Sequence, residues 1–108
     1  SAPGNVEALR VTVAMGGDQL VLISALHPEG LVLPWSSGSE SVREESLARL
    51  RGELERVRAA WPAARNLVLS ASDDVEYGDV IAVMDACRVD GRGERLFDHV
   101  VLAVSPRE

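Results

Sequence analysis

The sequence predicts an α/β chain folded as an α+β two-layer sandwich, in the order ββαβαβ, with two helices packed on one face of a mixed sheet. Three observations carry this. Residues 9–14 (Leu-Arg-Val-Thr-Val-Ala) alternate in polarity, and Gly16-Gly17-Asp18 separates them from a second strand-like run at 19–23, so the pair reads as a β-hairpin. Two longer stretches repeat apolar residues every three to four positions, the period of a helix with one buried stripe. Each is followed by a short apolar run, residues 66–69 and 100–104, and this β-α-β-α-β alternation favours parallel neighbours joined by crossovers.

A chain of 108 residues supports one hydrophobic core. It reads as a single domain over residues 8–105, between a small, turn-prone linker at 1–7 and a fraying end at 106–108. A net charge of −6 and a pI near 4.9 argue against a domain whose main task is gripping nucleic acid or anionic lipid. Cys87 is the one cysteine, which excludes an internal disulfide and a cysteine-based zinc cluster. No run approaches the roughly 20 apolar residues needed to span a bilayer, and no signal-peptide pattern opens the chain.

Residues 24–40 are the least regular, with His27-Pro28, Gly30, Pro34-Trp35 and Ser36-Ser37-Gly38-Ser39. A connection of this length in a small domain is often functional. Within it Leu31-Val32-Leu33 forms a short extra strand or docks on the core. Trp35 is either an exposed contact residue or the cover of a core edge, the commoner role of a lone aromatic.

Ser41-Val42-Arg43-Glu44 is a capping-box pattern opening the first helix. Leu47, Leu50, Leu54, Val57 and Trp61 supply its apolar stripe, Pro62 its stop, and a face of mixed charge including Glu53 its solvated side.

Residues 67–89 are the centre of the chain: a buried strand, a polar turn over 70–74, then a second helix over 75–89. Its apolar stripe is Tyr77, Val80, Ile81, Met84 and Cys87. Asp74 is the expected N-cap, with Glu76 and Asp79 adding favourable charge at the positive end of the dipole. Asp90-Gly91-Arg92-Gly93 ends the helix with a glycine suited to the C-cap.

Catalytic constellations are missing. His27 and His99 lie far apart, and no pair of ligands stands at helical spacing with a third in view. The group Asp73, Asp74, Glu76 and Asp79 reads first as capping and dipole compensation; as a cation site it lacks the alternating Asp/Asn and closing Glu of a calcium loop. Neither Gly16-Gly17 nor Gly91-Arg92-Gly93 is a phosphate loop, and no Gly-x-Ser-x-Gly elbow occurs. The expectation is a non-enzymatic binding or structural module without cofactor or metal. Trp35, Asp73, Asp74 and Tyr77 are its partner-binding candidates.

The stretch from Val68 to Val89 resembles the signature of the ExbD/TolR family: an apolar strand, an acidic turn, a Tyr-Gly helix start, then Val-Ile-Ala-Val-Met-Asp at 80–85. The hairpin, the Leu-rich helix and the closing strand follow in that family's order. Two features depart from the pattern. Ser72 stands where an Asp usually follows Ala, with the acids displaced to Asp73 and Asp74, and the connections at 24–40 and 89–98 are longer.

The resemblance implies the periplasmic domain of a single-pass inner-membrane stator subunit, anchored by a transmembrane helix outside this sequence. Such a subunit works beside a TolQ/ExbB/MotA-like multi-span partner, dimerises, and engages peptidoglycan or an envelope protein. It couples the proton motive force to transport energisation, envelope maintenance or gliding motility. The alternative is a stand-alone cytoplasmic ligand-binding or regulatory domain of ferredoxin-like shape, which needs no membrane.

Overall fold

In the computed structural model, which describes residues 11–36, 38–62, 64–89 and 93–105, alternation along the first strands becomes a one-sided core. Strand β1 (Val11–Met15) turns Val11, Val13 and Met15 inward, and β2 (Gln19–Ile23) turns Leu20 and Leu22 inward. They pair antiparallel through the expected hairpin, with Val13 opposite Leu22. Residues expected at 1–10, Gly91 and 106–108 fall outside the described set.

The run at 31–34 is a strand in its own right. β3 (Leu31–Pro34) pairs antiparallel with β2 and buries Leu33, so the order is βββαβαβ, with one strand more than the four of ββαβαβ. Helix α1 (Glu40–Ala60) carries Leu50, Leu54 and Val57 fully buried, with Leu47 and Trp61 partly so, as the heptad-like spacing requires. Its cap differs from the expected capping box. Ser39 is the N-cap and its hydroxyl accepts from the Val42 amide at 3.4 Å, which places Ser41 inside the first turn. Val42 then occupies the position where a box needs Glu or Gln, so Ser39 caps alone.

Strand β4 (Asn66–Ser72) and strand β5 (His99–Ser105) complete a mixed sheet of order β3-β2-β1-β4-β5, with β1, β4 and β5 mutually parallel. Between them lies helix α2 (Tyr77–Arg88). Both helices run against the strands over one face. Leu67, Leu69 and Ala71 of β4 meet Leu54 and Val57 of α1 and Val80, Val83 and Cys87 of α2 in one continuous core. Two-layer packing of this kind buries one face of the sheet and leaves the other open.

The open face is unusual in chemistry. In register, Val32, Val21, Ala14, Ser70 and Ala103 form one cross-sheet row, and Ile23, Thr12, Val68 and Val101 the next. Among the described residues, neither row contains a charged side chain.

Two expectations for α2 are corrected. Its N-cap is Glu76, without a side-chain cap bond, because residues 73–75 make a turn of their own, closed by the Val75 amide on the Ser72 carbonyl at 3.1 Å. Asp74 therefore lies outside the helix. The buried arc is Val80, Val83, Ala86 and Cys87, while Ile81 and Met84 are half-buried and Tyr77 is 72% exposed. The helix is rotated so that its small β-branched and short side chains meet the sheet. Tyr77, in the first turn, keeps its hydroxyl in water. At the other end the helix closes on Val89 in extended conformation.

Candidate functional site

The ends of β1 and β4 emerge side by side, since Met15 is in register with Ala71. The turn after β1 and the turn after β4 therefore meet, and the start of α2 stands over them. We call this the upper pole. The Ser72 hydroxyl donates to the Asp74 carboxylate and lies 3.4 Å from the Met15 carbonyl. Asp74 also leans on the hairpin turn: a Cβ on Gly17 would sit 3.1 Å from its Oδ2, so glycine lets the two turns touch.

Trp35 closes the same pole from the β3 side. Its backbone amide donates to the Asp18 carbonyl at 3.0 Å, and its indole Nε1 donates to Asp79 Oδ2 at 3.2 Å. The ring is 3% exposed. Trp35 thus covers a core edge and ties the hairpin to α2, and its ring is not on the surface as an exposed contact residue would be. The other three candidates, Asp73, Asp74 and Tyr77, are exposed together at this pole, beside Asp18 and Glu76. The helix dipole favours carboxylates here. Beside them a small cleft of about 260 Å³ opens between Val75, Tyr77, Val80 and Leu102. What the pole offers is an acidic, aromatic and apolar contact surface.

At the opposite, lower pole the helix C-termini gather arginines. Arg65 binds Asp98 at 2.6 Å, and Arg95 lies 3.8 Å from the same carboxylate. The Arg65 hydrogen bond holds the Asp98 carboxyl below its ordinary range. Asp85, Arg88, Arg95, Phe97 and Asp98 line an open cleft of about 380 Å³.

A third cluster was not legible from the helix pattern. Glu53, expected on the solvated face of α1, is 7% exposed. Its Oε1 meets His27 Nε2 at 2.8 Å, and Arg56 and Arg49 approach Oε2 at 3.4 and 3.7 Å. The cover is thin, made largely by these partners. The His27 hydrogen bond, assisted by both arginines, holds the carboxyl below the usual 4.5 against the opposing effect of burial. The loop carrying His27 is itself a closed turn, with Ser24 and His27 exchanging backbone hydrogen bonds at 3.3 and 3.1 Å. Glu53 thereby clasps the β2–β3 turn to α1. No sequence signal links two residues 26 positions apart in this way.

Cys87 is fully buried, and burial pushes its thiol up to about 12, which makes it a small core hydrophobe. Among the described residues no group of three His, Cys, Asp or Glu is placed to hold a metal ion, and no helix is long and apolar enough to cross a membrane. Comparison with protein-family models, with curated proteins and with solved structures finds no match to this chain.

Proposed function

We propose that this domain is the periplasmic part of an ExbD/TolR-like stator subunit, acting by contact and not by catalysis. The observation that carries the reading is the division of labour within residues 67–89. Their strand and the Val80–Val83–Cys87 arc are consumed by the core, while the acidic turn and Tyr77 are all presented to solvent. A segment with the family's signature would then keep its apolar letters for folding and its polar letters for a partner. On this reading the upper pole engages peptidoglycan or an envelope protein. A transmembrane helix outside these residues joins the domain to a TolQ/ExbB/MotA-like subunit, and proton flow there drives transport, envelope maintenance or gliding.

Fractionation of native cells with an antibody to this domain tests the proposal. A band several kilodaltons heavier than the 11.6 kDa chain, in the inner membrane, is the expected result. A band of 11.6 kDa in the soluble cytoplasm would overturn it and leave the ferredoxin-like ligand-binding reading.

A further inference from the structure

The lower pole carries a cleft that the proposed contact surface does not use. One wall is the end of α2, with Asp85, Arg88 and Val89, and the other is the returning segment, with Arg95, Phe97 and Asp98. The two walls are tied together. The Leu96 amide donates to the Arg88 carbonyl at 2.8 Å, and Val89 faces Arg95 in an antiparallel bridge. The charges on these walls are not equally committed. Asp98 accepts from Arg65 at 2.6 Å, with Arg95 3.8 Å away. Asp85 and Arg88 stand one turn apart on the same side of α2, and neither side chain has a hydrogen-bond or ion-pair partner among the described residues. The cleft thus presents an unpaired carboxylate and an unpaired guanidinium beside the apolar lining of Val89 and Phe97.

We infer that this cleft binds a small zwitterion carrying an ammonium and a carboxylate, that is, a free amino acid or a short peptide. The ammonium pairs with Asp85, where the negative end of the α2 dipole also favours a cation. The carboxylate pairs with Arg88, and Arg95 reaches it from the facing wall. An aliphatic side chain then lies along Val89 and Phe97. The balance of charge selects this class. Arg65, Arg88 and Arg95 are matched by Asp85, Glu94 and Asp98, and Asp90 and Arg92, outside the described residues, add one charge of each sign. A simple anion would meet Asp85 and a simple cation would meet Arg88, whereas a zwitterion satisfies both. The volume, about 380 Å³, lies at the lower end of small-molecule sites and holds one amino acid. Because the cleft is open, a dissociation constant on the order of 0.1–1 mM is expected.

Titration of the isotope-labelled 108-residue chain with L-leucine, followed amide by amide in heteronuclear NMR spectra, tests the site. Shifts should saturate and concentrate in residues 85–89 and 93–98, with residues 72–79 unmoved. Isocaproate, which keeps the carboxylate, and isoamylamine, which keeps the amine, should each bind at least about tenfold more weakly. Asp85→Asn should bring leucine level with isocaproate, and Arg88→Gln should bring it level with isoamylamine. Both side chains are exposed, so both variants should melt within a few degrees of the parent. Asp73→Asn, at the upper pole, should bind leucine as the parent does. Leucyl-leucine separates the two sources: tighter binding than leucine assigns the site to peptides, weaker binding to free amino acids. Leucine that shifts nothing at about 10 mM overturns the inference. So does leucine that binds the parent no better than isocaproate or isoamylamine, which would leave an ordinary surface charge cluster. The site is independent of the motor reading: an inert cleft leaves the upper pole as it stands, and a soluble cytoplasmic chain sinks the motor without touching the cleft.

Discussion

Glu53→Ala offers the sharpest test of how the long β2–β3 connection is held. The carboxylate is nearly covered, and His27 bonds it at 2.8 Å. A hydrogen bond to a charged group contributes about 1.5–3 kcal/mol. The arginines at 3.4 and 3.7 Å are mostly exposed, so each adds only a few tenths to about 1 kcal/mol. Removing the carboxylate also removes the cost of covering it, which offsets the arginine contribution. The net loss is therefore about 2 kcal/mol, or a fall of roughly 8–15 °C in melting temperature for a domain of this size. Thermal melts followed by circular dichroism on Glu53→Ala, His27→Ala and the double variant read both the loss and the coupling. A coupling near 1–2 kcal/mol is expected, because each single change breaks the same bond. A Glu53→Ala variant within about 0.5 kcal/mol of the parent would refute the clasp.

Further outcomes follow from other positions. Glu53 has a depressed carboxyl, so the folded state binds fewer protons than the unfolded one below the usual 4.5, and stability falls as pH drops through that window. Denaturant melts against pH should show a shallower fall below pH 4.5 for Glu53→Gln than for the parent. Gly30 has φ +97° and a Cβ there would lie 2.9 Å from Val21 Cγ1, so Gly30→Ala should cost about 2–3 kcal/mol in urea denaturation. Gly52, in mid-helix with open space around it, should gain about 0.5–1 kcal/mol on Gly52→Ala by the same measurement. Val83→Asp should unfold the domain while Tyr77→Asp stays within about 0.5 kcal/mol of the parent. Equal losses in circular dichroism melts would mean that α2 is turned the other way.

The parts of the fold that read easily were those where only one phase of the pattern was apolar. Leu47, Leu50, Leu54, Val57 and Trp61 stand out against a charged helix, and the alternation at 11–15 sits beside an unambiguous Gly-Gly-Asp turn. α2 was legible as a helix but not in its rotation. Val80, Ile81, Val83, Met84, Ala86 and Cys87 are apolar on more than one side, and periodicity cannot choose between arcs that differ by one residue. The cap failed for a related reason: four acids within seven residues offer several starts, and the choice was made by the Asp73–Val75 turn and by contact with Gly17. At the candidate site, the exposure of Asp73 and Asp74 was within reach of turn chemistry, whereas Tyr77 fits the apolar spacing of α2 and is exposed only because the helix is rotated. The burial of Trp35 depended on Asp18 and Asp79, partners brought in by tertiary structure.

The parallel alignment of β1, β4 and β5 also has a mechanical meaning. Val11 is level with Leu67 and Val100 at the lower pole, whereas Met15 is level with Ala71 at the upper pole, where β5 ends. A load applied between the start of β1 and the end of β5 therefore pulls along the strands, drawing β1 and β5 in opposite directions on either side of β4. The β1–β4 and β4–β5 hydrogen bonds are then strained together in shear, and many must fail at once. In the β1–β2 hairpin, by contrast, bonds opened from the free end would unzip one after another. The start of β1 and the end of β5 thus lie across the stiffest direction of the sheet, and a pull between them would load both ladders before it opened the core.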